Sequence, residues 1–209
     1  MSAKTKTEKN SQVSEKPKQR KNKTKRIVLT AILIALATVL SMIKVYQLPL
    51  GGSITLLSMI PIALISIEYG IKWGITGAFA YSLIQLGFGI GEGLFGWGLS
   101  PIALVGSIVL DYLLAYTALG LSGVFRKKGS WGICIGTALA VCLRFCCHLL
   151  SGAVIFDIWL PDGWSNPWIY SLVYNGSYML PELVFTVIGS IILFRTPQFS
   201  KLVESNIEE

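Results

Sequence analysis

Charge is scarce in this chain, and most of it sits at one end. Only 14% of the 209 residues are Asp, Glu, Lys or Arg, against 53% hydrophobic, which excludes an ordinary soluble domain and makes an integral membrane protein the expectation. There is no Walker A sequence, so P-loop nucleotide hydrolysis is excluded, and concentrating transport would need an energy-supplying partner or an ion gradient. Histidine occurs once, at His148, and no HExxH, Ser/His/Asp or paired-carboxylate pattern accompanies it. No enzyme of those classes is expected, and no cofactor. Cys134, Cys142, Cys146 and Cys147 fall in one predicted helix without CxxC spacing. They are expected to be small packing residues, with neither a disulfide framework nor a metal site. The GxGxxG at Gly91, Gly93 and Gly96 has no strand before it, and the sequons at Asn22 and Asn175 fall in the tail and in a predicted helix, so all three are discounted.

What charge there is sets the topology. The first 26 residues carry ten Lys/Arg against Glu8 and Glu15, a net of +8, which leaves the rest of the chain at −1. This stretch lacks interleaved aromatics and adjoins an apolar run, so nucleic-acid binding is not expected; a disordered cytoplasmic tail touching anionic membrane lipid is. The run after Arg26 is too long for a signal-peptide core, and no small-x-small cleavage site closes it.

A ruler of about 20 apolar residues per bilayer crossing predicts an all-α bundle of six helices. Their expected limits are 27–46, 54–69, 71–90, 100–124, 131–156 and 169–194, the second short, with Pro61 inside it, and kinked or partly re-entrant. Residues 1–26 then form the tail, 27–196 the membrane domain and 197–209 a short C-terminal tail. Lys72, Arg126, Lys127, Lys128, Arg195 and Lys201 fall on the same side as the basic tail, whereas the opposite loops near 47–53, 91–99 and 157–168 hold no Lys or Arg. Both termini are therefore expected in the cytoplasm of a multi-pass plasma-membrane protein. The outer loops carry Glu92, Asp157 and Asp162 with Trp97, Trp159, Trp164 and Trp168. That surface suits a cationic or neutral aromatic ligand, although an interfacial aromatic belt accounts for any single tryptophan.

Ionisable groups inside membrane-length runs are functional candidates because hydrocarbon penalises them unless they are paired or solvated. At 1.5 Å per residue, Asp111, Arg144 and Glu182 lie roughly 17–20 Å below the outer boundary, and His148, Tyr170, Tyr174 and Asn175 within roughly 12 Å. Arg144 and His148 are four apart on one face, and Asn175, Tyr178 and Glu182 share a stripe. Arg144 and Glu182 are expected to form a structural ion pair, with Asp111 as the competing partner. If Asp111 stays free, it accepts hydrogen bonds from a ring nitrogen or amino group of a ligand. His148, read alone, fits a satisfied structural histidine better than a ligand contact. Tyr112, Phe156, Trp159, Tyr170 and Tyr174 supply stacking faces and hydroxyls, which attract a desolvated cation by up to about 2 kcal/mol. Ala31 and Ala35 form a small-xxx-small pair that serves either internal packing or docking of another membrane subunit.

The segments Leu48 to Ile62 (LPLGGSITLLSMIPI), Leu110 to Tyr112 (LDY, followed by LGLSG), Arg144 to Gly152 (RFCCHLLSG) and Tyr170 to Glu182 (YSLVYNGSYMLPE) resemble the thiamine-specific substrate-binding (S) component of energy-coupling factor (ECF) transporters. The likeness runs from about Thr30 to Phe194, and several motifs in order make it specific. It implies a six-helix S component that binds thiamine from outside and associates with a transmembrane coupling protein and two ATPases. It also implies site roles: Asp111, with Tyr112 beside it, for the aminopyrimidine; His148 for the thiazolium; Tyr170 and Asn175 for the hydroxyethyl end; and Ala31 and Ala35 for docking the coupling protein. Aspartate stands at the acidic position where family members carry glutamate, and Phe156 where some carry tryptophan, with Trp159 or Trp164 as substitutes. The alternative is an S component for another vitamin or for a precursor such as hydroxymethylpyrimidine.

Overall fold

The computed structural model of the chain describes residues 16–55, 57–199 and 201. Large apolar side chains face outward and small polar ones face inward. Ile102, Val105, Leu180 and Ile192 are each at least 60% exposed, while Ser66, Ser82, Ser107, Thr137, Ser151 and Thr186 are fully buried. A water-soluble core would reverse this. Between membrane helices, where lipid is as apolar as leucine, small polar residues let backbones approach and the large apolar ones are left to the lipid.

Among the described residues the fold is six helical rods and one hairpin. Helix α1 (Lys16–Met42) runs into strand β1 (Lys44–Gln47), which pairs antiparallel with β2 (Ser53–Thr55). Next come α2 (Met59–Tyr69), α3 (Ile71–Gly91), a composite rod α4 (residues 101–121), α5 (Gly129–Val154) and α6 (Pro167–Arg195). Four stretches are long and apolar enough to cross a membrane: Lys23–Met42, Ile71–Gly91, Pro101–Val154 and Pro167–Arg195. The third contains the reversal at 122–128 and so supplies two rods.

Several boundaries differ from those expected. Helix α1 stops at Met42 instead of 46, and the second helix starts at Met59 instead of 54. Pro49 and Gly51, the latter at φ 94°, break the helical pattern between them, and the flanking Val45, Ile54 and Thr55 favour extended backbone. Lys44, placed inside the first helix by the sequence, therefore stands on a strand at the same end as the outer loops. Helix α1 also reaches back to Lys16, into the expected tail, through a run rich in Lys, Arg and Gln; residues 1–15 of that tail and 200 and 202–209 of the C-terminal one lie outside the described residues.

The rods meet most tightly at the end away from the hairpin. A Cβ on Gly120 would sit 2.6 Å from the Ile75 backbone, and one on Gly123 only 2.2 Å from the Ser66 carbonyl oxygen. The Ser66 hydroxyl donates to Gly120 O (2.5 Å) and accepts from Gly123 N (3.0 Å), satisfying backbone where α4 ends. Arg126 Nη1 donates to Ile67 O and Glu68 O at 3.2 and 2.7 Å, capping the C-terminus of α2. The apolar core around Ile62, Ile65, Ala78, Leu119 and Val141 lies between these contacts and the hollow half above.

Candidate ligand-binding site

Above that base the rods part around a cavity of about 610 Å³, walled by the hairpin and by α1, α3, α4, α5 and α6. Its size falls within the range of small-molecule sites. Asp111, Tyr112, His148, Phe156, Trp159, Tyr170, Tyr174 and Asn175 all line it, so eight of the nine expected ligand-binding residues converge. Trp164 does not; it packs edge-on against Tyr170 at 5.2 Å and is 38% exposed. Pro161 and Gly163 turn the loop there, and the ring covers the outer side of the wall instead of entering it.

Asp111 is positioned by an irregularity. Residues Ile108–Leu114 form a π-helical segment within α4, a widened turn frequent at functional sites. Its carboxylate accepts from Ser107 Oγ (2.9 Å) and Ser151 Oγ (2.5 Å) on Oδ2, and Oδ1 lies 3.0 Å from His148 Nδ1. A carboxylate has about four acceptor sites, so one remains on Oδ1. Neighbouring Tyr112 packs where α3 has no side chain, since a Cβ on Gly89 would lie 2.2 Å from its hydroxyl.

Arg144 continues the polar line. Its Nε lies 3.4 Å from His148 Nε2, and its guanidinium stacks 4.2 Å from the Tyr116 ring centroid. The expected Arg144–Glu182 ion pair is not formed as a contact. Instead Glu182 Oε1 accepts from Thr55 N (2.5 Å) and Thr55 Oγ1 (2.7 Å). The physical reason is the hairpin: extended backbone deep in an apolar body exposes peptide groups that need partners, and Glu182 is the acceptor within reach. The Oε2 of Glu182 is buried with no hydrogen-bond partner among the described residues. Asp111 does not pair directly with Arg144 either; His148 stands between them.

Helix α6 starts at Pro167, its N-cap Asn166 accepting from Trp168 N and Ile169 N. One of its faces then carries an aromatic ladder at four-residue spacing. Tyr170 and Tyr174 stack at 5.9 Å and 28°, and Tyr174 meets Tyr178 edge-on at 6.0 Å. The Tyr174 hydroxyl also straps the hairpin, accepting from Gly52 N at 2.9 Å and donating to Pro49 O. Asn175 is engaged at both ends: Nδ2 donates to Ser171 O, Ser171 Oγ and His148 O, and Oδ1 accepts from Tyr178 OH at 2.7 Å. It ties α5 to α6 as well as facing the cavity.

At the mouth, Trp97, Phe156 and Trp159 form a cluster with ring centroids 5.4 to 6.1 Å apart, and Lys44 bridges to Glu92 at 2.9 Å. Sequence reasoning missed Lys44 as a mouth residue, together with Tyr116 and Gln85. Gln85 carried a legible signal, an amide within an apolar run; it donates to Tyr81 OH and Ser41 Oγ on the cavity wall. The interior holds the carboxyl groups of Asp111 and Glu182 and the guanidinium of Arg144, and Lys44 is paired with Glu92 at the mouth. No group of three or more His, Cys, Asp or Glu that would hold a metal occurs among the described residues. Of the cysteines, expected as packing residues, Cys142 and Cys146 face outward from α5.

Comparison with known proteins agrees along most of the chain. A family model described as thiamine transporter protein matches residues 27–201. The chain is 35% identical over 185 residues to the thiamine transporter ThiT of Bacillus subtilis (strain 168), covering 82% of this chain and 91% of that protein. It is 28% identical over 186 residues to ThiT of Lacticaseibacillus paracasei, at 82% and 88% coverage. The solved structure of ThiT from Listeria monocytogenes shares the fold at a TM-score of 0.68 and 24% identity, covering 87% of this chain and 98% of that one.

Proposed function

The chain belongs to the thiamine transporter protein family, and from that premise we propose that it binds thiamine in the aromatic-walled cavity and serves uptake as the S component of an ECF importer. The observation that carries this reading is the convergence of Asp111, His148 and Asn175 in one aromatic-walled cavity, an enclosure that suits a flat cation. Thiamine has two rings, a fixed positive charge and a hydroxyl tail. Asp111, with its spare acceptor site, takes the aminopyrimidine, beside Tyr112. The His148 face and the Phe156–Trp159 cluster take the rings, and Tyr170 and Asn175 line the hydroxyethyl side.

In this reading residues 27–196 are the membrane domain, with six crossings of which α2 and the hairpin together make one. The 122–128 end and both termini face the cytoplasm, with residues 1–26 and 197–209 as tails and the basic one on anionic lipid. Ala31 and Ala35 lie exposed on α1, within a stripe that includes half-exposed Ile27, Val28, Ile32, Leu36 and Val39. That exposure supports the docking role over internal packing, with the transmembrane coupling protein as partner and two ATPases behind it.

Titrating the purified protein with thiamine while following tryptophan fluorescence is expected to give saturable quenching with a nanomolar Kd, equivalent to about −12 kcal/mol. No saturation below micromolar thiamine rejects the reading. Hydroxymethylpyrimidine, which lacks the cationic ring, is expected to compete poorly; equal competition selects the precursor instead.

A further inference from the structure

His148 is held at both ring nitrogens. Asp111 Oδ1 lies 3.0 Å from Nδ1, and Arg144 presents Nε–H to Nε2 at 3.4 Å. A guanidinium has donors and no acceptor, so Nε2 carries the lone pair and the proton sits on Nδ1, where the carboxylate accepts it. An imidazolium would set two N–H donors against each other at Nε2. Arg144 has little freedom to turn away, being 9% exposed with its plane over the Tyr116 ring.

None of the other titratable or charged groups around the ring is hydrogen-bonded to it. Tyr178 of α6 meets the imidazole edge-on at 6.4 Å and gives its hydroxyl proton to Asn175. Glu182, also on α6, is occupied by Thr55. Tyr112 and Tyr116 of α4, Tyr81 of α3, Cys147 preceding His148 on α5 and the distant Lys44–Glu92 pair at the hairpin mouth complete the set.

We propose that Arg144 is a positioning residue that keeps His148 neutral, with its proton on Nδ1, so that a cationic ligand meets an imidazole face and not an imidazolium. This deepens the thiamine reading and rests on it for the ligand's charge. A second proton on His148 would place a positive charge in the cavity before the ligand arrived. The bound state would then carry a surplus positive charge in an enclosure of low dielectric.

The chain has a single histidine, so 15N labelling of histidine in the purified full-length protein reports His148 alone. Between about pH 5.5 and 8, across the ordinary imidazole range, one protonated and one bare nitrogen are expected, the bare one being Nε2. Two protonated nitrogens in that range, or a bare Nδ1, overturn the proposal. The double variant Arg144→Met/Glu182→Gln removes the two opposite charges together, and the glutamine oxygen keeps an acceptor for Thr55. In it, the bare Nε2 is expected to give way to a second protonated nitrogen toward the acid end of that range. Thiamine affinity then drops by roughly tenfold or more in the variant, while that of the unaltered protein stays flat. A variant whose spectrum and pH profile match the unaltered protein removes Arg144 from the account. Should the variant not fold, the spectrum of the unaltered protein decides alone. A neutral tautomer in a protein that does not bind thiamine leaves the tautomer standing and rejects the ligand.

Discussion

The two ends of the bundle solve opposite problems with the same rods. At the 122–128 end, small residues bring backbones together: Gly120 and Gly123 leave no room for a side chain, and one serine hydroxyl satisfies both. At the hairpin end, large rings hold the rods apart, and three departures from regular helix face the opening: the π-helical turn at Asp111, the hairpin and the broken second span. Backbone freed at depth must find partners, so the open end recruits Tyr174 and Glu182 to strap the hairpin. The solid half holds a geometry from which the hollow half can afford to depart.

The sharpest way to break this contrast is to damage the solid end. Gly123→Val places atoms against a backbone oxygen that cannot yield, and overpacking of that kind is expected to cost more than about 3 kcal/mol. Folded protein should be lost, as read by size-exclusion profile and thermal melting in detergent. A variant that melts as the unaltered protein does refutes the rigid base. The second test strikes the hollow end. Asp111→Asn keeps the shape and removes the charge, and lost hydrogen bonds to a charged group predict a roughly 10- to 100-fold weaker thiamine Kd, about 1.5–3 kcal/mol. Melting should change little, because Ser107 and Ser151, which share Oδ2, can still donate to an amide oxygen placed there. If melting falls with affinity, the two ends are not separable.

How much of this was legible in the sequence follows the same division. Period and length gave the rods, because outward Leu, Ile and Val repeat whatever the interior does. Convergence of Asp111, His148 and Asn175 was legible because ionisable and amide groups in apolar runs are costly unless they meet. The hairpin was not, since a run such as SITLLSMIPI reads as an apolar span; only Pro49 and the adjacent glycines hinted at the break. That miss displaced Lys44 from the mouth and led Glu182 to be paired with Arg144, because the peptide N–H of Thr55 has no trace in sequence. Trp164 was misplaced for a related reason: loop aromatics carry no period to say which way they point.

The smallest expected effect separates the hairpin's strap from the base it leans on. Tyr174→Phe keeps the ring in the wall and its stacking on Tyr170, but removes the hydroxyl that accepts from Gly52 N and donates to Pro49 O. One peptide N–H loses its partner, at a cost of about 1 kcal/mol. The bond belongs to the hairpin over the cavity and not to the packed half, so the cost should fall on ligand release. Stopped-flow tryptophan fluorescence should show thiamine leaving about fivefold faster with an unchanged association rate, the kinetic equivalent of that cost. A slower association with unchanged release would mean that the strap shapes the empty site and does not hold the filled one. A lowered melting temperature comparable to that of Gly123→Val would mean that the hairpin is part of the base, and the division between a solid and a hollow half would fail.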